Sequence, residues 1–365
     1  MYSFEPSEEQ KMLVESVNRF AANDLRPAAR EADESSELSQ KLLDKGWDLG
    51  VLQASVPEAY GGFGDRSAVT GVLAAEELAY GDLSAAFAIG TPALFAMPIL
   101  LAGSESQKKQ YLPQVVAAEW KPFTSALVEY DLDFDPQALR TTAICQGDRY
   151  FINGEKACVP FASEASAFLV YANLEGQTQG FIVPAGSAGL AVSPDREKLM
   201  GLRALPLSRV RLEGISVGAE SRLGGPEGHD FRPVLASMQV AQAAAAVGVA
   251  RAAFEYSRDY AKEREAFGVK IAQKQAVAFM LAEMRTELEA IRVLTWEAAW
   301  KLDAAQPDAF TDAYLASVGA MDMAMMVTDR AVQILGGHGY IRDHPVEMWM
   351  RHGRGFSAFT GFTIV

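Results

Sequence analysis

Near its C-terminal end the chain carries Gly336-Gly337-His338-Gly339-Tyr340, then Pro345-Val346-Glu347 and Arg351, and runs on into Phe359-Thr360-Gly361-Phe362-Thr363. Glycines allow close approach of the backbone to an anionic ligand. A general base has to be protonatable near the working pH, and the hydroxyl of Thr360 is not. Arg264, in Arg264-Glu265-Ala266-Phe267-Gly268, stands at the end of a helical pattern, either as a solvated charge or as a charge-assisted partner for an anion. Cys145 and Cys158 lie in a segment that reads as strands, without a CxxC or a paired histidine motif, so free buried thiols are expected rather than a disulfide or a zinc site. A net charge of −14 without a compensating basic run excludes nucleic acid and anionic lipid as partners. Any anionic ligand must be met locally, by helix N-termini and single arginines.

The elements that must place these residues follow from pattern. With 365 residues, 49% of them hydrophobic, the chain can bury a core in two or three domains. Glu5, Glu8, Glu9 and Lys11 interrupt the first twenty residues, unlike a signal peptide. The most apolar stretch, Ser84 to Leu101, contains Gly90, Pro92 and Pro98, which predicts buried helices broken by a turn; no membrane span and a cytoplasmic or similarly reducing location are expected. Ser7-Glu8-Glu9-Gln10 reads as a capping box opening a helix with Met12, Val14, Val17 and Phe20 at near-helical spacing, and Pro57 to Gly64 reads as a loop. Short β-rich runs then take over, at Tyr150-Phe151-Ile152, Ala167 to Tyr171, Gly180 to Val183 and Val210 to Leu212, with Asn153-Gly154 as a hairpin signal. Long amphipathic helices return afterwards; the methionines Met321, Met323, Met325 and Met326 are expected as core filler. The predicted protein is mostly α with a central β-domain: an N-terminal helical domain over 1–120, a small β-barrel or sandwich over 121–230, and a C-terminal four-helix bundle over 231–365.

Several motifs occur in a telling order: Val56-Pro57-Glu58-Ala59-Tyr60-Gly61-Gly62; Glu76-Glu77-Leu78 with Asp82 and Ser84; Gly103-Ser104-Glu105-Ser106-Gln107 through Tyr111-Leu112-Pro113; Ile152-Asn153-Gly154-Glu155-Lys156; Lys198 through Gly201-Leu202-Arg203; Arg264 through Gly268 with Gln275; and Gln333-Ile334-Leu335-Gly336-Gly337. In this the chain resembles the acyl-CoA dehydrogenase family over nearly its full length. The resemblance implies a flavin adenine dinucleotide (FAD) between the β-domain and the C-terminal helices, with an acyl-CoA thioester against the flavin face. It also implies that the position of Thr360 is, in most members, the glutamate that takes the α-proton. The alternative base position aligns with Met238 and its neighbouring arginine with Gln239; the loop that cradles the flavin aligns with Val128 to Asp135, and the segment that covers its ring with Cys158-Val159-Pro160. By the same resemblance Arg264, Phe267, Gln275, Gln333, Gly336 and Gly337 reach a neighbouring subunit's FAD.

The expectation is therefore a subunit that lacks its own base and pairs, as dimer or tetramer, with a homologous acyl-CoA dehydrogenase chain, handing electrons to electron-transferring flavoprotein. The alternatives are a homotetrameric acyl-CoA dehydrogenase with a displaced base, for instance Glu129 or a neighbouring acid, and a non-redox acyl-CoA-binding scaffold. The family's chains usually continue into one more helix past the position of Val365.

Overall fold

The capping box at Ser7 forms as the spacing predicts: its hydroxyl accepts the Gln10 N–H and the Gln10 side chain returns to the Ser7 N–H. It opens the first of the seven helices that precede the sheet, in a computed structural model that describes residues 6–131 and 133–365. The start of the expected helical domain before residue 6, and Leu132 in the expected flavin loop, lie outside the described residues. The helices are α1 (Glu8–Phe20), α2 (Arg26–Ser35), α3 (Gln40–Trp47), α4 (Ala68–Gly81), α5 (Leu83–Ile89), α6 (Ala93–Ala102) and α7 (Glu105–Val115). As Gly90 and Pro92 predict, α5 and α6 are separate and meet at a bend of 51°.

Strands β1 (Thr124–Ala126), β2 (Thr142–Gln146), β3 (Arg149–Pro160), β4 (Ala167–Leu174), β5 (Gln177–Pro184), β6 (Leu190–Arg196) and β7 (Leu207–Gly218) form one sheet in the order β1-β4-β2-β3-β7-β6, with β5 on β4. The hairpin signal at Asn153-Gly154 is misplaced. The β2–β3 turn falls at Gly147, in the left-handed region at φ 67°. Gly154 sits inside β3 at a bulge, where a Cβ would come within 2.5 Å of Thr141 Oγ1, and Asn153 Oδ1 accepts the Gly214 N–H at 2.7 Å. An Asn-Gly pair serves a bulge as readily as a turn. Cys145 is also corrected: it is an exposed free thiol, while Cys158 is partly buried and free.

The last section comprises α8 (Arg232–Glu263), a small hairpin of β8 (Glu265–Ala266) and β9 (Val269–Lys270), then α9 (Gln275–Asp303), α10 (Ala309–Leu335) and α11 (Val346–Gly355). The apolarity of α8 would suit a membrane span, but 89% of its most apolar window is buried inside the protein, so it is the central core helix. The methionine row of α10 divides: Met323 is buried, Met321 and Met326 are partly buried, and Met325 is 38% exposed.

Buried polar latches join the three sections. Gln107 donates to the carbonyls of Glu220 and Arg222, at 2.8 and 2.7 Å, and accepts the Gly224 N–H, tying α7 to the end of the β-domain. Glu77 of α4 accepts two bonds from Arg251 of α8, at 2.7 and 2.6 Å, and one from Asn18, while Arg292 of α9 pairs with Glu76. Asp33 of α2 takes a bidentate pair from Arg351 of α11, which also donates to the Met200 carbonyl.

Next to that pair His352 is fully buried; its Nδ1 accepts the Leu202 N–H at 3.3 Å and its Nε2 has no partner among the described residues. Burial, helped by Arg351, pushes the imidazole down to about 4 from an ordinary 6.5. Between those values the unfolded chain binds the proton and the native one does not. This part of the stability is therefore intact above the upper value and is lost as pH falls towards the lower one. We expect His352 to remove about 2 kcal/mol of stability between about pH 7 and about pH 5. Burial raises Asp82 to about 6, which acts in the opposite sense, so the readout is a comparison of variants. Urea unfolding at both pH values should show that His352→Gln loses about 2 kcal/mol less than the unmodified chain on going to the lower pH, and identical slopes would count against this assignment.

Candidate functional site

Thr360 follows α11 and the 3-10 turn Phe356–Ala358, in a loop held by aromatic packing. Phe356, Phe359 and Phe362 are buried; Phe359 stacks on Phe362 at 5.6 Å, and Phe87 of α5 meets both edge-on at 6.0 and 6.2 Å. Gly361 between them has φ 85°, and a Cβ there would lie 2.9 Å from Leu127 Cδ2, so the loop needs glycine. The Thr360 hydroxyl donates to Gln242 Oε1 at 3.5 Å, and the amide of Gln242 donates to the Phe356 carbonyl. Met238, one turn before Gln242 on α8, is buried and apolar. Both positions at which the resemblance implies a base are thus filled by neutral groups. Beside them an apolar cavity of about 80 Å³ is bounded by Trp47, Leu52, Gly71, Phe87, Ala245 and Ile364.

Glu129 does not supply a replacement base. It is buried against Lys156, whose Nζ donates to it at 2.7 Å and to the Leu127 carbonyl at 3.1 Å, and it accepts the N–H groups of Arg140 and Thr141 at 2.7 and 2.9 Å. Burial alone would raise its pKa, but Lys156 and these donors outweigh it and hold the carboxyl below the usual range. A carboxylate bonded to a cation and two amides is a strut. Further along the same loop Arg140 pairs with Asp131 at 2.6 Å, Arg209 lies over the Tyr130 ring at 4.3 Å, and Phe134 packs on the core.

Across the strand, backbone donors are already committed. Ala157 N–H goes to the Val128 carbonyl and Phe161 N–H to the Pro206 carbonyl, both at 2.8 Å, Val159 pairs with Ser208, and Pro160 has none to give. Cys158 sits in the left-handed region at φ 51°, and burial pushes its thiol up to about 11.

The six residues expected to serve a neighbour behave differently. Arg264 caps α8 and is exposed, Phe267 at the tip of the β8–β9 hairpin is 94% exposed at φ 55°, and Gln275 opens α9 in solvent. Gln333, Gly336 and Gly337 are exposed at the end of α10. Among the described residues the side chains of Arg264, Gln275 and Gln333 have no hydrogen-bond partner. The two groups are drawn together by Tyr260, whose carbonyl accepts the Arg264 N–H and whose hydroxyl bonds His338 Nδ1 at 2.7 Å. Tyr256 makes the same bond to His344, and the two imidazoles stack at 5.3 Å. Sequence reasoning missed this tyrosine and histidine cluster, as it missed Gln242. The spacing of Tyr256 and Tyr260, four residues apart on one helix face, was the available signal.

The chain matches the acyl-CoA dehydrogenase N-terminal domain over residues 7–119, the middle domain over 124–215 and the C-terminal domain over 232–363. It is 34% identical to a cyclohex-1-ene-1-carbonyl-CoA dehydrogenase of Syntrophus aciditrophicus, across 98% of this chain and 87% of that one. It is 33% identical to the caffeyl-CoA reductase-Etf complex subunit CarC of Acetobacterium woodii, across 97% of this chain and 95% of that one. The solved butyryl-CoA dehydrogenase of Megasphaera elsdenii superposes with a TM-score of 0.89 at 30% identity, covering 98% of this chain and 96% of that one. The chain belongs to the acyl-CoA dehydrogenase family, whose members are flavoprotein oxidoreductases that bind FAD and act on acyl-CoA.

The residues present fit FAD on one side only. Arg264 offers an unpaired guanidinium, Gln275 and Gln333 offer free amides, and Phe267 offers an open ring face, a donor set suited to a pyrophosphate and an adenosine. On the other side the N–H groups of Ala157 and Phe161 are spent on backbone carbonyls, and the carboxylates of Asp131 and Asp133 stand where an anion would have to approach, Asp131 paired with Arg140.

Proposed function

We propose that this chain is a non-catalytic or half-catalytic subunit of a heteromeric acyl-CoA dehydrogenase. A homologous partner supplies the base and the flavin cavity, and this chain lends Arg264, Phe267, Gln275, Gln333 and the Gly336-Gly337 turn to the partner's FAD. The observation that carries the reading is the neutral Thr360–Gln242 pair at the base position. Abstraction of an α-proton needs an acceptor within hydrogen-bond reach, and neither a threonine hydroxyl nor a carboxamide is one near neutral pH. Arg264 is left to hold a phosphate by a charge-assisted bond. The reaction served is α,β-oxidation of an acyl-CoA thioester, and the Acetobacterium relative's name, a reductase-Etf complex subunit, supports electron-transferring flavoprotein as the redox partner.

Absorbance at the flavin bands against protein concentration tests this. The chain purified alone should hold far less than one flavin per chain. A ratio near one would defeat the reading in favour of a homotetrameric acyl-CoA dehydrogenase with a displaced base. A preparation that stays colourless with every homologous subunit would favour a scaffold without redox chemistry.

A further inference from the structure

The cavity of about 80 Å³ beside the Thr360 loop has walls of Trp47 from α3, Phe87 from α5, Met97 from α6 and Ile364, and among the described residues none of the side chains bounding it is charged. Its polar wall is Gln53 and Ser55, from the 3-10 turn Gln53–Ser55, and Thr363. The Ser55 hydroxyl already donates to the Val51 carbonyl at 3.1 Å. The carboxamide oxygen of Gln53 is buried and has no hydrogen-bond partner among the described residues.

A buried acceptor without a donor is unfavourable unless something brings one. Water fits poorly, because it needs about two to four polar partners and a cavity walled by carbon stays dry. An ammonium or a carboxylate fits worse, since neither finds a counter-charge on this wall and a carboxylate sets a second acceptor beside the first. An aliphatic chain that ends in a hydroxyl meets both demands: its carbons pack on the aromatic and aliphatic wall, and its O–H donates to Gln53 Oε1. The volume is roughly half that of a cavity of about 150 Å³ that takes up benzene, which sets a short chain of about three to five carbons. We propose that the cavity binds a short aliphatic alcohol group, carried at the distal end of an acyl-CoA thioester or as a free alcohol, and that Gln53 is the residue that selects the hydroxyl. The proposal concerns what this chain binds and not what it oxidises, so it stands apart from the unequal-subunit reading.

Calorimetric titration of the full chain with ω-hydroxyacyl-CoA thioesters of about four to six carbons, each set against the acyl-CoA in which a methyl replaces the hydroxyl, measures the choice. The hydroxylated member of at least one pair should bind about tenfold more tightly, because its isostere leaves the Gln53 oxygen unpaired. Gln53→Met keeps the size of the side chain, offers only a weak sulfur acceptor and should abolish that preference. Ala93→Leu, which fills the cavity from α6, should weaken both members of the pair. Free 1-butanol against n-pentane separates the sources: a preference confined to the thioesters marks an acyl group, one confined to the free pair marks a free alcohol, and one in both shows that the hydroxyl end suffices. Equal affinities within every pair, an unchanged preference in Gln53→Met, unchanged binding in Ala93→Leu, or no binding at all would overturn the proposal. Flavin content near one per chain in the same samples would defeat the unequal-subunit reading and leave this order of affinities standing.

Discussion

Lys156→Met is expected to destabilise the protein by about 3–5 kcal/mol, because it leaves the Glu129 carboxylate buried without its cation. The loss should be larger at neutral than at acidic pH. Without Lys156 the desolvated carboxyl of Glu129 takes up a proton more readily, and a protonated Glu129 no longer needs a counter-charge. Urea unfolding at the two pH values measures this. The double variant Lys156→Met with Glu129→Gln should recover part of the loss, because it removes the stranded charge while the single amide oxygen of Gln can still accept from one of the two N–H groups of Arg140 and Thr141, which the carboxylate meets with separate oxygens. A double variant as unstable as the single one would show that the aliphatic stem of Lys156, and not its charge, holds the strand in place.

The second large effect is expected at Arg251. It is mostly buried between Glu76 and Glu77, with Arg292 completing the cluster. Arg251→Ala leaves Glu77 without its bidentate cation between α4 and α8, while Glu76 keeps Arg292, and should remove about 3–5 kcal/mol, whereas Arg258→Ala, on the same helix but paired with Asp259 in solvent, should cost about 0–1 kcal/mol. Thermal or urea unfolding of the two variants side by side gives the contrast. Similar losses at both sites would mean that helix propensity or packing, rather than the buried charge, dominates at Arg251.

What could be read in the sequence was local or carried whole by a motif. Ser7 with Gln10 specifies a helix start within one turn, and Gly90 with Pro92 specifies a break, so both were visible. Asn153-Gly154 was misread because the same two residues satisfy a turn and a bulge, and only the neighbouring Thr141 and Gly214 decide between them. The six residues around Arg264 could be named as a set from the order of motifs. That the side chains of Arg264, Gln275 and Gln333 stand unpaired could not, because it depends on what the rest of the chain leaves open. Gln242 was out of reach for the same reason: its bond to Thr360 spans 118 positions. Glu129 reads as a possible base in the sequence alone, because only the fold brings Lys156 of β3 onto its carboxylate.

The pair of Asp33 with Arg351 bears on how the chain is made as well as how it stands. The two residues are 318 positions apart, and a ribosome adding about 5–20 residues per second delivers the arginine roughly 15–60 s after the aspartate. Until residues 232–263 follow, the nascent helical segment stands with the apolar face meant for α8 uncovered, and until Arg351 follows, Asp33 lacks its bidentate partner. The contact that closes α2 onto α11 therefore forms only after nearly the whole chain has been made.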